Sequence, residues 1–133
     1  MMREYETVIV LKPEITEEQL RNFQTKVTEV IESQGGKIAF IDNWGKKKLG
    51  FEKDKYMKGI YLHVVYFGKG GLVSEFTRNL RIQENILLFQ TITLNDTVLD
   101  FEGRFNEILQ KRENPEYVLP YDHNNSFIEE YAQ

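Results

Sequence analysis

The sequence predicts an α+β domain whose four strands and two helices follow the order β-α-β-β-α-β. Four segments carry alternating or β-branched apolar residues, which is typical of strands. Two segments carry apolar residues three and four positions apart, which is typical of amphipathic helices. Glycine-rich or charged stretches separate these segments along the 133-residue chain. Two split β-α-β units of this length favour the ferredoxin-like arrangement, a four-stranded antiparallel sheet with both helices on one face.

The N-terminal third of the chain predicts one strand and one helix. Residues 3–12 alternate as a strand does, and apolar residues on both of its faces predict a central position in the sheet. Thr16 and Gln19 form a capping box that starts the helix, and Gly35-Gly36 ends it with a left-handed turn. The apolar stripe of this helix consists of Leu20, Phe23, Val27, Val30 and Ile31.

The middle of the chain predicts the remaining three strands and the second helix. Residues 37–51 form the second strand, with a bend at Gly45, and residues 52–58 form a charged turn. Residues 59–67 are rich in β-branched and aromatic side chains and form the third strand. Residues 86–94 form the fourth strand. The second helix ends near Arg81, and its apolar residues are Leu72, Val73, Phe76 and Leu80.

The predicted core lies between the two helices and the sheet, and the opposite face of the sheet is left partly uncovered. Each buried core side chain contributes roughly 1.5–3 kcal/mol to stability. The predicted core residues are Ile9, Leu11, Leu20, Phe23, Val27, Ile31, Phe76 and Leu80.

A domain boundary is predicted at residue 97, giving a ferredoxin-like domain of residues 1–97 and an acidic extension of residues 98–133. Residues 98–112 have the spacing of a short helix, and prolines and an asparagine pair predict an irregular remainder. The extension holds large apolar side chains that are unusual in a disordered segment, so we expect it to pack on its own domain or on a partner. The predicted partner-binding residues are Tyr117, Tyr121, Phe127 and Ile128.

The composition argues against catalysis and against a membrane span. The chain has no cysteine and two histidines, so neither a disulfide nor a transition-metal site is predicted. No run of 18 apolar residues is present, so no membrane span is predicted, and the N-terminus lacks the pattern of a secretory signal. The absence of cysteine agrees with a reducing cytoplasm. Gly68-Lys69-Gly70-Gly71 lacks the spacing of a phosphate-binding loop and is interpreted as a turn. No catalytic residue, metal or cofactor is therefore predicted.

The charge is distributed unevenly around a net value of −4. Residues 37–59 hold seven lysines and three acidic residues, a local charge of +4. Residues 98–133 hold eight acidic and three basic residues, a local charge of −5. A basic middle in an acidic chain indicates one localised anionic partner, although charge runs are also common in solvated loops.

The bend in the second strand is the most informative stretch for binding. Lys46, Lys47 and Lys48 follow the only tryptophan, Trp44, and a glycine. Three adjacent ammonium groups face either solvent or a polyanion, and such groups can neutralise backbone phosphates with release of counterions. Trp44 either stacks on a base or packs over the end of the sheet. At the end of the second helix, Arg78 and Arg81 either complement the helix dipole or bind phosphate, and Arg3 opens the first strand.

Four stretches in register resemble one known family. They are Met2-Arg3-Glu4-Tyr5-Glu6-Thr7, Gly45-Lys46-Lys47-Lys48-Leu49-Gly50-Phe51, Lys58-Gly59-Ile60-Tyr61, and Leu80-Arg81-Ile82 with Asn85-Ile86-Leu87. Between about residues 2 and 97 the chain is similar to the sixth protein of the bacterial small ribosomal subunit. Two stretches depart from the family: lysine stands where arginine is common, and Gly50-Phe51-Glu52 stands where Ala-Tyr-Pro is common.

The resemblance implies a non-enzymatic structural protein of the cytoplasmic ribosome. It implies a pair with the eighteenth small-subunit protein, and binding of that pair to the central domain of the small-subunit RNA. The implied RNA contacts are Arg3, Lys46, Lys47, Lys48, Arg78 and Arg81, with Trp44 as a further candidate. The variable extension is expected to dock on the basic partner protein and to become ordered on binding.

Two other functions remain as alternatives. A free-standing RNA-binding module of the RRM type has the same fold and would use aromatic residues of the third strand, such as Tyr61. The chain lacks the paired aromatic residues of that motif. The second alternative is a ferredoxin-like domain that binds a small ligand or acts as an enzyme.

Overall fold

The computed structural model describes residues 1–113, and within them the predicted order of elements is confirmed. The strands are antiparallel and lie in the order β2-β3-β1-β4, so β1 is central as predicted and β2 and β4 are the edges. The elements are β1 (Arg3–Leu11), α1 (Glu17–Ser33), β2 (Lys37–Lys53), β3 (Tyr56–Gly68), α2 (Leu72–Arg81), β4 (Ile86–Asn95) and α3 (Phe101–Glu113).

Both ends of α1 follow from local chemistry. The backbone N–H of Gln19 donates to Thr16 Oγ1 at 3.1 Å, and the backbone N–H of Thr16 donates to Gln19 Oε1 at 3.0 Å, which confirms the capping box. At the other end Gly35 has a φ of +77°, and the N–H of Gly36 returns to the carbonyl of Ile31 at 3.0 Å. This left-handed turn directs the chain into β2.

The main core lies between the two long helices and one face of the sheet, where it was predicted. Seven of the eight predicted core residues are buried, the exception being Leu20, which is partly buried in the first turns of α1. On the sheet side, the side chains of β1 and β3 that alternate toward the helices complete the cluster. These sheet residues are Tyr5, Ile9, Leu11, Leu62, Val64 and Tyr66.

The β2–β3 hairpin is longer than the sequence predicted. Residues 52–58 were predicted to form a charged turn, but the turn consists of Asp54 and Lys55, both with positive φ (50° and 71°). Two residues with positive φ suit the right-handed twist of a hairpin, and aspartate tolerates that conformation. No proline interrupts β2, which continues through Gly50-Phe51-Glu52 to Lys53, and Lys53 pairs with Tyr56. The prediction of a seven-residue turn was wrong.

A third helix, α3, covers part of the sheet face that was expected to be open. Val98 and Ile108 are buried against Val65 and Phe67, with Phe101, Phe105, Phe40, Ala39 and Met2 packed around them. The predicted short helix is therefore confirmed. Residues 98–113 therefore pack against the sheet through this cluster.

Two ion pairs hold α3 on the sheet. The guanidinium of Arg104 donates to both carboxylate oxygens of Glu4, at 2.9 and 3.0 Å, and the Glu4 side chain is 3% exposed. The guanidinium of Arg112 donates to Asp42 Oδ2 at 2.7 Å and lies 3.9 Å from the centroid of the Phe40 ring. Forked contacts of this kind fix orientation as well as position. They set α3 across β1, β3 and β2.

Candidate nucleic-acid interface

A bulge at Gly45 directs the lysine segment. Gly45 has a φ of +83°, and its N–H donates to Asn43 Oδ1 at 2.7 Å, while the strand register shifts between Asn43 and Gly45. A bulge bends its strand and re-aims the side chains that follow. The bend predicted at Gly45 is thus present. Lys46, Lys47 and Lys48 follow this bend on β2 and are called the lysine arm below.

The three lysines do not point the same way. Side chains alternate along a strand, and Lys46 lies opposite Ile60, which packs into the helix-side core. Lys46 and Lys48 are therefore on the helix side of the sheet and are exposed, whereas Lys47 lies on the other side and is half-buried. Lys48 is directly opposite Lys58, so two cations face each other across the hairpin.

The lysine arm carries charge that the described part of the chain does not neutralise. Within residues 1–113, no carboxylate oxygen lies within 4.0 Å of the ammonium groups of Lys46, Lys47, Lys48 or Lys58. The basic residues of α3 instead pair with Glu4, Asp42 and Glu107. Within residues 1–113, the helix that covers the sheet therefore supplies no carboxylate to the lysine arm.

Arg81 lies at the same end of the sheet as the lysine arm. Leu11 at the end of β1 pairs with Ile60 on one side and with Ile86 on the other, and α2 ends shortly before Ile86. Arg81 lines one surface groove together with Lys53 of the hairpin. The terminus of α2 and the end of the hairpin thus line the same groove, an arrangement that the sequence did not predict.

Arg78 is one turn earlier on α2 and is held by an ion pair on its own helix. Its Nε donates to Glu75 Oε2 at 3.2 Å, and this hydrogen bond raises the pKa of Arg78 and lowers the pKa of Glu75. The Arg78 side chain is 64% exposed, so the pair is solvent-screened and readily exchanged for another anion. Arg78 and Arg81 line a second groove together.

Arg3 lies apart from the other predicted contacts. It pairs with Gly68 at the start of β1, whereas the lysine arm is level with Leu11 at the end of that nine-residue strand. At about 3.3 Å per residue these ends are roughly 26 Å apart. Arg3 and the lysine arm would therefore meet different parts of a bound nucleic acid.

The surroundings of Trp44 favour packing over the sheet, the second of its two predicted roles, and not stacking on a base. It is 6% exposed in a cluster on the second face of the sheet, and its ring centroid lies 5.0 Å from that of His63. A base needs an open ring face, which Trp44 does not offer in this structure. Tyr61, which the RRM-type alternative would use for stacking, is 0% exposed in the same cluster. The other members are Val8, Val10, Leu49 and Leu87.

His63 is part of the scaffold. It is 3% exposed, its Nε2 lies 2.9 Å from Glu6 Oε2, and its ring contacts the rings of Trp44 and Phe40. Residues 1–113 contain no group of three side chains able to hold a metal ion. Among those same residues, no helix is long and apolar enough to cross a membrane. The four predicted partner-binding residues, Tyr117, Tyr121, Phe127 and Ile128, lie outside the described residues.

The molecule is a small ferredoxin-like protein whose basic hairpin lies at the end of the sheet where α2 ends. The model of the family described as Ribosomal protein S6 matches residues 4–93, and the chain belongs to that family. The chain is 36% identical over 97 residues to small ribosomal subunit protein bS6 of Desulfovibrio desulfuricans, covering 73% of this chain and 95% of the relative. It is 32% identical over 97 residues to bS6 of Geotalea uraniireducens, covering 73% and 76%.

Solved structures agree with this assignment. The crystal structure of 30S ribosomal protein S6 from Thermotoga maritima superposes with a TM-score of 0.67 at 25% identity, covering 84% of this chain and 100% of that one. The C-terminal domain of MgtC from Mycobacterium tuberculosis superposes with a TM-score of 0.52 at 9% identity over 74% of this chain and 95% of that domain, and so shares the fold alone. The chain is a non-enzymatic structural component of the small ribosomal subunit, as the sequence predicted.

Proposed function

We propose that this protein binds the central domain of the small-subunit RNA as a pair with the eighteenth small-subunit protein, and that the lysine arm provides the main electrostatic contact. The observation that carries the proposal is the set of exposed ammonium groups with no carboxylate within 4.0 Å in residues 1–113. Lys46, Lys47 and Lys48 also belong to one of the stretches that resemble the ribosomal family, and that resemblance implies this partner and this RNA domain.

The physics of the hairpin favours a polyanion as its ligand. Lys48 and Lys58 face each other across the strand pair, and like charges in that position are destabilising by a few tenths of a kcal/mol or more. A phosphate backbone placed beside them removes this repulsion and releases its condensed counterions. Lysine is a compact point charge, so the contact tolerates small changes in RNA geometry but gives little base specificity.

Residues 114–133, the part of the extension that follows α3, are proposed to bind the partner protein. Residues 114–133 contain four carboxylates and no lysine or arginine, together with the aromatic and aliphatic side chains of Tyr117, Tyr121, Phe127 and Ile128. Such a segment complements a basic protein that has apolar pockets, because charge steers the encounter and large apolar groups supply the affinity.

Deleting residues 114–133 is expected to weaken binding of the eighteenth protein by at least 10-fold and to leave the thermal midpoint of unfolding unchanged. The contacts that the structure describes lie within residues 1–113, and this deletion leaves all of them in place. The comparison variant deletes residues 98–133. It is expected to lower the thermal midpoint as well, because it removes Val98, Ile108 and the Arg104–Glu4 pair.

Calorimetric titration of each variant with the purified eighteenth protein measures the affinity, and thermal denaturation followed by circular dichroism measures the stability. Partner affinity that survives removal of residues 114–133 would contradict the role proposed for this segment.

A co-assembly assay on a central-domain RNA fragment, with and without the partner, tests the proposal as a whole. If an unrelated basic protein raised the RNA affinity of this chain as much as the partner does, the result would contradict the proposal.

A further inference from the structure

Three buried carboxylates lie on the face of the sheet that α3 covers. Glu4 and Glu6 come from β1 and Asp42 comes from β2, and their exposed fractions are 2%, 6% and 9%. A carboxylate that is removed from water is costly unless a cation or several hydrogen-bond donors compensate it. His63 of β3 lies beside Glu6, and the other two carboxylates pair with arginines of α3. This face of the sheet therefore depends on cations that the sheet does not supply.

The side of α3 that faces the sheet shows what kind of partner this face accepts. Arg104, Ile108 and Arg112 follow one another at intervals of four residues, so they lie on one side of the helix. The two arginines are separated by about 12 Å along the helix axis, at 1.5 Å per residue. The matching ligand is an amphipathic helix that carries two cations on its apolar side. An RNA backbone is a poor match, because the carboxylates would repel its phosphates.

α3 fills this face incompletely. Ile108 is the one buried residue of α3, whereas the shorter helix α2 buries three residues. A pocket of about 310 Å³ remains between α3 and the sheet, and Phe40, His63 and Ile108 are among the residues that line it. His63 Nδ1 is buried and has no hydrogen-bond partner among the residues that the structure describes. In the neutral ring that donates from Nε2 to Glu6, Nδ1 is an acceptor. The face thus has space and an acceptor that α3 does not use.

The attachment of α3 to this face is largely electrostatic and partly open to solvent. The side chains of Arg104 and Arg112 are 35% and 25% exposed, so salt screens their ion pairs in part. Before α3 begins, the N–H of Val98 donates to the carbonyl of Met2 at 2.9 Å. The core on the helix side of the sheet contains no residue of α3, so α3 can leave its face without removing a contact from that core.

We propose that the sheet face beneath α3 is a binding site for an arginine-bearing amphipathic helix of another protein, and that α3 occupies this site in the free chain. α3 then acts as a built-in competitor, which a better-fitting helix displaces. Such a helix pairs with the same carboxylates, fills the pocket and donates a hydrogen bond to His63 Nδ1. The inference goes beyond the proposed function, because neither RNA nor the lysine arm takes part in it.

The test uses the full-length protein and a fluorescein-labelled peptide with the sequence of residues 98–113. Replacing Arg104 and Arg112 together with glutamine weakens the tethered α3 and opens the site. Fluorescence anisotropy at about 0.05 M salt is expected to show peptide binding at least about 10-fold tighter for this double variant than for the wild type, because the tethered competitor is weakened. The matched control replaces Arg21 and Lys26, two exposed cations of α1, with glutamine. It is expected to bind the peptide as the wild type does.

A second peptide, in which glutamine replaces both arginines, tests the chemistry of the site. It is expected to bind the double variant at least about 10-fold more weakly than the native peptide does, because it cannot pair with the carboxylates. Equal binding of the two peptides would overturn the proposal, and so would equal binding of the native peptide by the double variant and the wild type. A double variant that sediments as a dimer would identify a second copy of the chain as the occupant, which also rejects the proposal.

Hydrogen exchange of the wild-type chain provides a readout that does not depend on the folding of a variant. Raising the salt concentration from about 0.05 M to about 0.5 M is expected to lower the protection of the α3 amides about 10-fold and to leave α1 unchanged, because screening weakens the two ion pairs. If the α3 amides exchange only through global unfolding at both salt concentrations, α3 is a permanent part of the fold and the site is not available to a partner.

Discussion

Replacing Lys46, Lys47 and Lys48 together with alanine is expected to lower the affinity for the central-domain RNA on the order of 100-fold at about 0.1 M salt. The reason is counterion release: each phosphate that a cation neutralises adds about 0.7 to 0.9 to the salt slope, and three such contacts add roughly two units. The loss should shrink toward nothing near 1 M salt, where the electrostatic contribution vanishes.

The three lysines are not expected to contribute equally to this loss of RNA affinity. Lys46 and Lys48 are exposed on the helix side, whereas Lys47 is half-buried on the other side, so the double variant of Lys46 and Lys48 should show most of the effect. The matched control replaces Lys26, Lys69 and Lys111, three exposed lysines outside the hairpin, with alanine. A control triple that loses as much affinity would show that net charge, and not the lysine arm, determines binding.

Trp44→Ala is expected to lower the free energy of unfolding by about 3–5 kcal/mol, the usual cost of truncating a buried tryptophan. The indole fills the second-face cluster beside His63 and is 6% exposed, so its removal leaves a cavity under the start of the lysine arm. Urea denaturation of the full-length variant, followed by circular dichroism, measures the change.

Trp44→Leu separates packing from base stacking. Leucine keeps apolar volume at the site but cannot stack, and a lost base stack costs about 1–3 kcal/mol of RNA affinity. RNA affinity equal to that of the wild type, measured where the variant is folded, is expected. A drop of 10-fold or more in a folded Trp44→Leu protein would restore Trp44 as an RNA contact.

Features set by neighbours in the sequence could be predicted. The capping box at Thr16, the left-handed turn at Gly35 and the bend at Gly45 each depend on a few adjacent residues, and all three are present. The helix-side core also follows from periodicity, because the 3.6-residue and 2-residue patterns define one face of each element.

Features set by residues far apart could not be predicted. The Arg104–Glu4 and Arg112–Asp42 pairs join residues 100 and 70 positions apart, and no local pattern marks them. These two pairs help to hold α3 over the second face of the sheet. Because the sequence does not reveal them, this face was expected to stay partly open. The position of Lys53 was missed for a related reason. It was predicted to lie in a charged turn, whereas it is the last residue of β2 and lines the same groove as Arg81.

The most direct test of the lysine arm is photo-crosslinking from Phe51 in assembled small subunits. Phe51 is 42% exposed and lies on the same arm, so Phe51→p-benzoylphenylalanine puts a probe beside the lysines without removing them. We predict crosslinks to the central domain of the small-subunit RNA, and none from the same probe at Thr25 on the exposed surface of α1. Crosslinks from position 51 to protein alone would contradict the account.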